Sequence, residues 1–276
     1  MASAAAELAR EPAANRGGGA AIAVANVDVV YGVGGAEPVN ALSGITLEVP
    51  DGAFVSLVGP SGCGKSTLLK VVADLMAPTR GTVTVGCAPP RNLRHAGRIG
   101  LVFQQANLMP WLKVANNIGL LRDLVARRGG APREAASVDE LIRVVGLTGF
   151  ETKYPHQLSG GMQQRVALAR ALALDPAVLL MDEPFAALDE ITRDRMAFEL
   201  MRLWHHYRKT VLFVTHSLAE AVFLSDRVVL MSARPGRIHQ TFEIDLPRPR
   251  DRETPLTDRF HQIVSELNRE LYRVMA

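Results

Sequence analysis

The segment from Gly59 to Ser66 constrains the fold of this chain more than any other part of its 276 residues. It reads Gly-Pro-Ser-Gly-Cys-Gly-Lys-Ser and fits the pattern G-x-x-x-x-G-K-[ST]. An apolar run over residues 53–58 predicts a buried strand before it, and residues 67–73 predict a helix after it. Glycines let the backbone N–H groups curl around an anion, and the helix adds the positive end of its dipole. We therefore predict a phosphate-binding turn between a strand and a helix.

The side chains of this turn indicate a nucleoside triphosphate as its ligand. Lys65 can pair with the β- and γ-phosphates, and the Ser66 hydroxyl can bind Mg²⁺. We expect nucleotide contacts along a continuous stretch of nine residues: Gly59, Pro60, Ser61, Gly62, Cys63, Gly64, Lys65, Ser66 and Thr67. Alone, this P-loop motif indicates only an NTPase or a nucleotide kinase.

Two adjacent acids at the end of another apolar strand supply the means of hydrolysis. The strand spans residues 178–181, and Asp182 and Glu183 follow it. We expect this strand to lie beside the P-loop strand, with its carboxyl end at the ligand crevice. There Asp182 would hold Mg²⁺ and Glu183 would polarise the attacking water.

Strand and helix patterns alternate along most of the chain, which predicts an α/β fold. Early strands over residues 21–31 and 45–49 indicate an antiparallel β subdomain at the N-terminus. From about residue 105 to 165 the strand patterns vanish, which indicates a helical insertion. Helices and strands then alternate to residue 231, as expected of a mostly parallel sheet with helices on both faces.

These patterns divide the chain into three parts. Residues 1–20 are predicted to be a disordered tail, residues 21–240 a nucleotide-binding domain, and residues 241–276 a C-terminal extension. The extension carries an amphipathic helix whose apolar stripe we expect to pack on the domain, although partner binding is an alternative. The stripe comprises Leu256, Phe260, Ile263, Val264, Leu267, Leu271 and Val274.

Composition excludes several other classes of protein. The formal charge of +3 comes without a clustered basic face, so we expect no nucleic-acid partner. The most apolar runs are of strand length, far short of the roughly 20 residues that a membrane-spanning helix needs. Charges such as Glu7 and Arg10 interrupt the start of the chain, so no signal peptide is predicted. Two cysteines do not form a disulfide framework.

A second anion-binding pattern begins at Ser159. Ser159, Gly160 and Gly161 open a predicted helix, where unshielded N–H groups and the serine hydroxyl can bind an anion. The run Leu-Ser-Gly-Gly-Met-Gln-Gln-Arg over residues 158–165 resembles the signature of the ATP-binding cassette (ABC) family of P-loop NTPases. The resemblance covers residues 22–236. It implies that two subunits sandwich two ATP molecules, and that each site combines one P-loop with the signature of the other subunit.

Four more residues resemble motifs of this family, in the family's order along the chain. Gln104 resembles the glutamine that contacts Mg²⁺ and the attacking water, and His216 resembles the switch histidine that contacts the γ-phosphate. Asp189, in Ala-Leu-Asp, resembles the D-loop that crosses the dimer seam, and Tyr31 resembles the aromatic residue that stacks on adenine. The resemblance thus implies three catalytic residues: Glu183, His216 and Gln104. It also implies three contributors to the Mg²⁺ site: Ser66, Gln104 and Asp182.

The family resemblance also implies partners and a location. ATP would close a homodimer, and hydrolysis would reopen it to drive a separate integral membrane permease. Residues 107–111, 232–238 and 246–250 resemble ATPases of the nitrate/sulfonate/taurine importer group of bacteria. That group implies small anions as solutes, a periplasmic or lipid-anchored solute-binding protein, and a peripheral position on the cytoplasmic face of the inner membrane.

Other interpretations remain open at the level of sequence. A soluble ABC ATPase of DNA repair or translation would usually carry coiled coils, zinc inserts or two cassettes, and none of these is apparent. A small-molecule kinase would explain Lys65 but not the run from Ser159 to Arg165. An importer of another solute and an exporter are also compatible. The apolar cluster around Trp111 could be a docking surface for a membrane subunit or part of the core of the insertion.

Overall fold

The computed structural model describes residues 20–32, 37–127, 136–186 and 188–275 of the chain. The predicted disordered tail lies outside this range, except for residue 20, which begins the first strand. The strands are β1 (Ala20–Tyr31), β2 (Val39–Pro50), β3 (Phe54–Val58), β4 (Arg80–Val85), β5 (Ile99–Val102), β6 (Val178–Asp182), β7 (Thr210–Val214), β8 (Arg227–Ser232) and β9 (Arg237–Glu243). The helices are α1 (Lys65–Val72), α2 (Pro90–His95), α3 (Val114–Arg127), α4 (Val138–Val144), α5 (Gly160–Leu172), α6 (Glu190–Tyr207), α7 (Leu218–Leu224) and α8 (Asp258–Met275).

A six-stranded sheet forms the centre of the fold, in the order β5-β6-β7-β3-β8-β9. The first five strands in this order are parallel, and β9 is antiparallel to β8. Every residue of β3 and of β7 is buried, as expected of central strands that helices cover on both faces. The prediction of a mostly parallel sheet with flanking helices is confirmed.

The two faces of β3 contribute to two separate cores. Phe54 and Val58 pack into the core that contains residues of α5, α6, α7 and α8. Val55 and Leu57 point the other way, into a core shared with α1 and the N-terminal sheet. The strand that leads into the P-loop is therefore fixed from both sides.

The order of the strands corrects one prediction. The strand that carries Asp182 does not lie beside the P-loop strand, because β6 pairs with β5 and β7, while β3 pairs with β7 and β8. Both β6 and β7 are short apolar runs, and such a pattern indicates burial without specifying a neighbour. The carboxyl end of β6 still lies at the same edge of the sheet as the P-loop, because parallel strands all end at one edge. Gln104, Glu183 and His216 follow β5, β6 and β7 at that edge.

A three-stranded antiparallel sheet forms the predicted N-terminal β subdomain. Its order is β2-β1-β4, with β1 in the centre. The predicted strand over residues 45–49 is only the C-terminal half of β2. There every second residue is buried, namely Ile45, Leu47 and Val49. Strand β4 is an edge strand that pairs with β1.

Helices α3 and α4 and the start of α5 lie in the segment predicted as a helical insertion. Ser137 caps α4 by accepting a hydrogen bond from the Glu140 N–H at 3.1 Å. Trp111, just before α3, is 69% exposed, so the alternative in which it belongs to the core is wrong.

The C-terminal segment packs on the domain through α8. Phe260, Ile263 and Leu267 are buried in the core that also contains α7, which favours the packing interpretation of the amphipathic stripe. Leu256 is an exception: it precedes the helix and is 70% exposed. Strand β9 was not predicted, and it crosses the boundary that the sequence suggested at residue 240. Five of its seven positions are polar and exposed, and Ile238 and Phe242 are only partly buried, so it lacks the pattern of a buried strand.

None of the helices within the described residues combines the length and apolar character needed to cross a lipid bilayer.

Candidate functional site

The backbone of the loop between β3 and α1 has the conformation that its glycines allow. Gly59, Gly62 and Gly64 have φ angles of 152°, 76° and 95°, which L-residues with a side chain rarely adopt. A Cβ atom at Gly59 would lie 2.5 Å from the Met231 carbonyl oxygen, so this position also needs glycine for space. Ser61 and Gly62 are exposed at the turn, and Cys63 is buried beneath it.

Lys65 folds back over the loop that precedes it. Its Nζ donates hydrogen bonds to the carbonyl oxygens of Gly59 at 2.8 Å and Pro60 at 3.0 Å, and the residue is only 7% exposed. A buried ammonium group is costly unless it has acceptors, and these two carbonyls supply them. The lysine charge is thereby held at the loop, where it can pair with phosphate oxygens.

Ser66 and Asp182 bring the P-loop and the end of β6 together. The Ser66 hydroxyl donates a hydrogen bond to Asp182 Oδ1 at 2.7 Å. These are two of the oxygen donors that suit Mg²⁺, which takes few protein ligands and completes its shell with water and phosphate oxygens. The residues present therefore fit a magnesium-nucleotide site.

Glu183 and His216 form a contact beside this oxygen pair. His216 Nδ1 lies 3.2 Å from Glu183 Oε2, and the Glu183 N–H donates to the Val214 carbonyl of β7 at 2.9 Å. Glu183 has a φ of 45°, which turns the chain sharply at the end of β6. A carboxylate that contacts a histidine at the mouth of a phosphate site can orient and deprotonate water.

Gln104 is exposed just after β5, and its backbone is held by a residue that the sequence did not single out. Gln164, buried within α5, donates from Nε2 to the carbonyl oxygens of Phe103 at 3.0 Å, Pro184 at 2.6 Å and Gln104 at 3.4 Å. One side chain thus joins the loop of Gln104 to the loop after Glu183. Gln164 is next to the arginine that ends the signature run, but its partners lie 20 to 61 residues away, so no local pattern could reveal this role.

Ser159 is the N-cap of α5 and is exposed. Its hydroxyl accepts a hydrogen bond from the Met162 N–H at 3.3 Å. A Cβ at Gly161 would lie 2.9 Å from Thr192 Cγ2, so the glycine allows α5 to begin close against α6. The nearest contacts of both signature glycines thus come from Leu188, just before α6, and from Thr192 in its first turn. Among the described residues no hydrogen bond joins Ser159 to the P-loop.

Asp189 is the N-cap of α6, next to the signature glycines. It accepts a hydrogen bond from the Thr192 N–H at 2.9 Å, and this bond holds the pKa of its carboxyl below the usual range. Of the predicted D-loop, Ala187 lies outside the described residues. The start of α5 and the start of α6 thus form one exposed corner of the molecule.

Tyr31 lies at the end of β1, within reach of the P-loop helix. Its hydroxyl is 3.1 Å from Thr67 Oγ1, and the residue is 40% exposed. The contact ties the predicted adenine-stacking ring to Thr67, which we expected among the nucleotide contacts. The structure therefore gathers Tyr31, the P-loop, Asp182, Glu183 and His216 at one place, and sets Ser159 and Asp189 at another.

Comparison with known proteins identifies the family to which the chain is similar. The family model described as "ABC transporter" matches residues 42–186. The chain is 51% identical over 216 residues to an uncharacterised ABC transporter ATP-binding protein, MJ0412, of Methanocaldococcus jannaschii, covering 78% of this chain and 79% of that protein. It is 43% identical over 217 residues to the aliphatic sulfonates import ATP-binding protein SsuB of Bacillus cereus, covering 78% and 82% respectively.

A solved structure is similar to the whole core of the fold. It is the dimeric post-hydrolysis state of the ATP-binding cassette MJ0796 bound to ADP and phosphate. The TM-score is 0.69 at 33% sequence identity, and the match covers 82% of this chain and all of that one.

Proposed function

Because this chain belongs to the ABC transporter family of ATP-binding subunits, we propose that its ATPase activity drives solute import through a separate membrane permease. The observation that carries the proposal is the division of the phosphate-binding groups between two places on one subunit. The P-loop comes with Asp182, Glu183 and His216, whereas Ser159 stands at an exposed helix N-terminus elsewhere. A second copy must supply the latter group to complete a site.

Hydrolysis at such a site follows from the geometry of the side chains. Lys65 and the loop N–H groups hold the phosphates, and Ser66 with Asp182 would hold Mg²⁺, with Gln104 as a further contact. The metal ion would neutralise charge on the phosphate oxygens. Glu183 orients the attacking water and takes its proton, while His216 contacts the γ-phosphate and steadies the Glu183 carboxylate.

ATP hydrolysis can do work only if nucleotide favours one conformation over another. In the proposed homodimer, ATP is bound from both sides only in the closed state, so binding closes the dimer and hydrolysis reopens it. The exposed corner formed by Ser159 and Asp189 is the part of the surface that would meet the other subunit's nucleotide.

The loop around Trp111 is proposed to dock the permease. Trp111 is exposed, and the loop that presents it is held rigidly by the buried side chain of Asn117. The Asn117 amide accepts from the Met109 N–H at 2.8 Å and donates to the carbonyl oxygens of Met109 at 3.1 Å and Leu112 at 2.9 Å. A rigid loop with a large apolar tip, a few residues after Gln104, can insert into a groove of a membrane protein.

The proposed solute is a small anion of the nitrate, sulfonate or taurine kind. This finer assignment rests on the short motifs named above and on the similarity to a sulfonate import subunit. It implies a peripheral position at the cytoplasmic face of the inner membrane, and a solute-binding protein that delivers the anion on the other side.

Uptake assays test the proposed function. In cells of the source organism that lack this chain, uptake of labelled taurine, alkanesulfonates and nitrate should fall and should return with the wild-type gene but not with Glu183→Gln. Trp111→Ala should also fail to restore uptake, whereas Tyr272→Ala, which removes an equally exposed aromatic from α8, should restore it. Unchanged uptake of all three anions in the deletion strain would overturn the assignment of the solute.

A further inference from the structure

A buried carboxylate lies directly behind His216. Glu220, on α7, is 9% exposed, and its Oε2 accepts a hydrogen bond from the Thr215 hydroxyl at 2.7 Å. Thr215 immediately precedes His216 in the chain, and its hydroxyl also accepts from the Ser217 N–H at 3.0 Å. Burial raises the pKa of Glu220, and the Thr215 hydrogen bond and the Arg193 charge oppose this shift. The carboxylate thus contacts Thr215 directly, and Ser217 through the Thr215 hydroxyl, so it is linked to both residues that flank His216.

The other oxygen of Glu220 faces an arginine from the start of α6. Arg193 Nε lies 3.4 Å from Glu220 Oε1, an ion pair without a hydrogen bond at this nitrogen. The Nη2 atom of the same guanidinium donates to the carbonyl oxygen of Leu188 at 3.1 Å. Leu188 directly precedes Asp189 in the predicted D-loop. One planar side chain therefore contacts both the D-loop and the carboxylate behind His216.

We propose that Arg193 and Glu220 are positioning residues that couple the D-loop to His216 and, through it, to Glu183. The inference rests on the proposed function, in which the D-loop lies at the seam of the ATP-bound dimer. The path runs from the Leu188 carbonyl through Arg193, Glu220 and Thr215 to the loop of His216. His216 Nδ1 in turn lies 3.2 Å from Glu183 Oε2. Arrival of the second subunit would in this way align the group that activates water.

Stability alone does not account for this pair. Ion pairs that are largely withdrawn from water gain little over apolar residues of similar size, because desolvation offsets their attraction. The local fold of α7 also does not need the charge, since the Ser217 hydroxyl caps the helix by accepting from the Glu220 backbone N–H at 3.3 Å. A Glu220→Gln chain keeps that cap and an acceptor for Thr215, and it loses only the charge that faces Arg193.

The test compares conservative variants of Arg193 and Glu220 with the same two kinds of substitution in another ion pair, which lies on α6, the helix of Arg193. Glu220→Gln removes the charge, and Arg193→Lys keeps the charge but cannot reach both partners with one ammonium group. The controls are Glu199→Gln and Arg202→Lys, which alter a partly exposed ion pair of 3.0 Å on α6. Steady-state ATP hydrolysis gives kcat and KM for each purified protein, and thermal unfolding gives Tm.

The expected result is a fall of kcat by about 3- to 30-fold for each positioning variant, with KM for ATP changed less than twofold. The double variant should lose no more than the larger single loss, because both residues act on one path. In a Glu183→Gln background, Glu220→Gln should still form the ATP-dependent dimer, since neither the P-loop nor Ser159 is altered. The control variants should keep the wild-type kcat.

Three outcomes would overturn the inference. They are a wild-type kcat in both Glu220→Gln and Arg193→Lys, a rise in KM that accounts for the whole loss of activity, and a loss of dimer formation in the Glu183→Gln background. Failure of the proposed function would look different: uptake would be unchanged in the deletion strain, or the Glu183→Gln protein itself would form no ATP-dependent dimer, whatever the state of this pair.

Discussion

Residues of the P-loop satisfy the packing of the fold and the binding of a charged ligand at the same time. Lys65 is buried and yet must meet a charged ligand, and the carbonyls of Gly59 and Pro60 hold its ammonium group in place. Gly59 is fixed both by its φ angle and by the 2.5 Å that a Cβ would leave to Met231. The loop is therefore specified by sterics as well as by ligand chemistry.

Removal of the lysine charge tests this local account. Lys65→Ala should weaken ATP binding about 10- to 100-fold and abolish measurable turnover, because a charge-assisted contact to phosphate contributes about 1.5–3 kcal/mol. Titration with a fluorescent ATP analogue measures the affinity. Lys70→Ala, which changes an exposed lysine of the same helix, should bind like wild type. Equal affinity in Lys65→Ala and Lys70→Ala would contradict the assignment.

The carboxylate of Glu183 should separate binding from hydrolysis. Glu183→Gln should lower kcat at least about 100-fold, as expected for loss of a general base, with ATP affinity within a few-fold of wild type. The amide can still contact His216, so the local structure should persist. Single-turnover hydrolysis with Glu199→Gln as the control measures the effect, and near-normal turnover would show that another group activates water.

The residues of the site differ in how far the sequence reveals them. Lys65, Asp182 and Glu183 could be predicted because they belong to short sequence motifs that directly follow apolar strands. Gln164 and Glu220 could not, because they act through partners brought near only by the fold. Gln164 reaches the carbonyl oxygen of Pro184, and Glu220 meets Arg193 from another helix.

At the scale of elements, α7 connects the catalytic edge of the sheet with the C-terminal segment. Its N-terminus follows His216, and its C-terminus is covered by Arg250, whose Nη1 donates to the carbonyl oxygens of Val222, Phe223 and Ser225 at 2.8–2.9 Å. Burial lowers the pKa of Arg250 to about 10. A positive charge at a helix C-terminus also complements the helix dipole.

Loss of this cap should destabilise the fold. Arg250→Met should lower the free energy of unfolding by about 1–3 kcal/mol, because buried carbonyl oxygens would lose their donor. Chemical denaturation measures the change. Arg259→Met breaks the exposed pair with Asp245 at 2.8 Å and should leave the free energy of unfolding nearly unchanged, because water screens such pairs. If both variants lowered the free energy of unfolding equally, the bonds of Arg250 to the end of α7 would not be what fixes the C-terminal segment.

Among the helices and strands too, the sequence predicts what depends on local residue patterns and misses what depends on contacts between distant segments. The alternation of apolar strands and helices predicted the α/β class, because the spacing of apolar residues differs between a strand and a helix. It could not place β6 two strands away from β3, since β6 and β7 fit either position equally well. Strand β9 was missed because an edge strand with polar side chains has no distinctive pattern.

At the scale of the whole molecule, function depends on a surface rather than on a pocket. The P-loop and the exposed corner formed by Ser159 and Asp189 belong to the same chain, yet the residues that approach the signature glycines are Leu188 and Thr192, not residues of the P-loop. We infer that the complete site exists only between two copies. The sequence predicted this from the family resemblance, and the exposure of Ser159 is compatible with it.

The mass of the Glu183→Gln protein in the presence of ATP and Mg²⁺, measured by light scattering after size exclusion, tests this claim most directly. The expected mass is twice the 29.9 kDa of the chain, with two nucleotides retained, and it should return to that of the monomer when Ser159→Arg is added. Ser137→Arg, which removes the equivalent cap from α4, should leave the dimer intact. A dimer that forms equally well with Ser159→Arg would contradict the account.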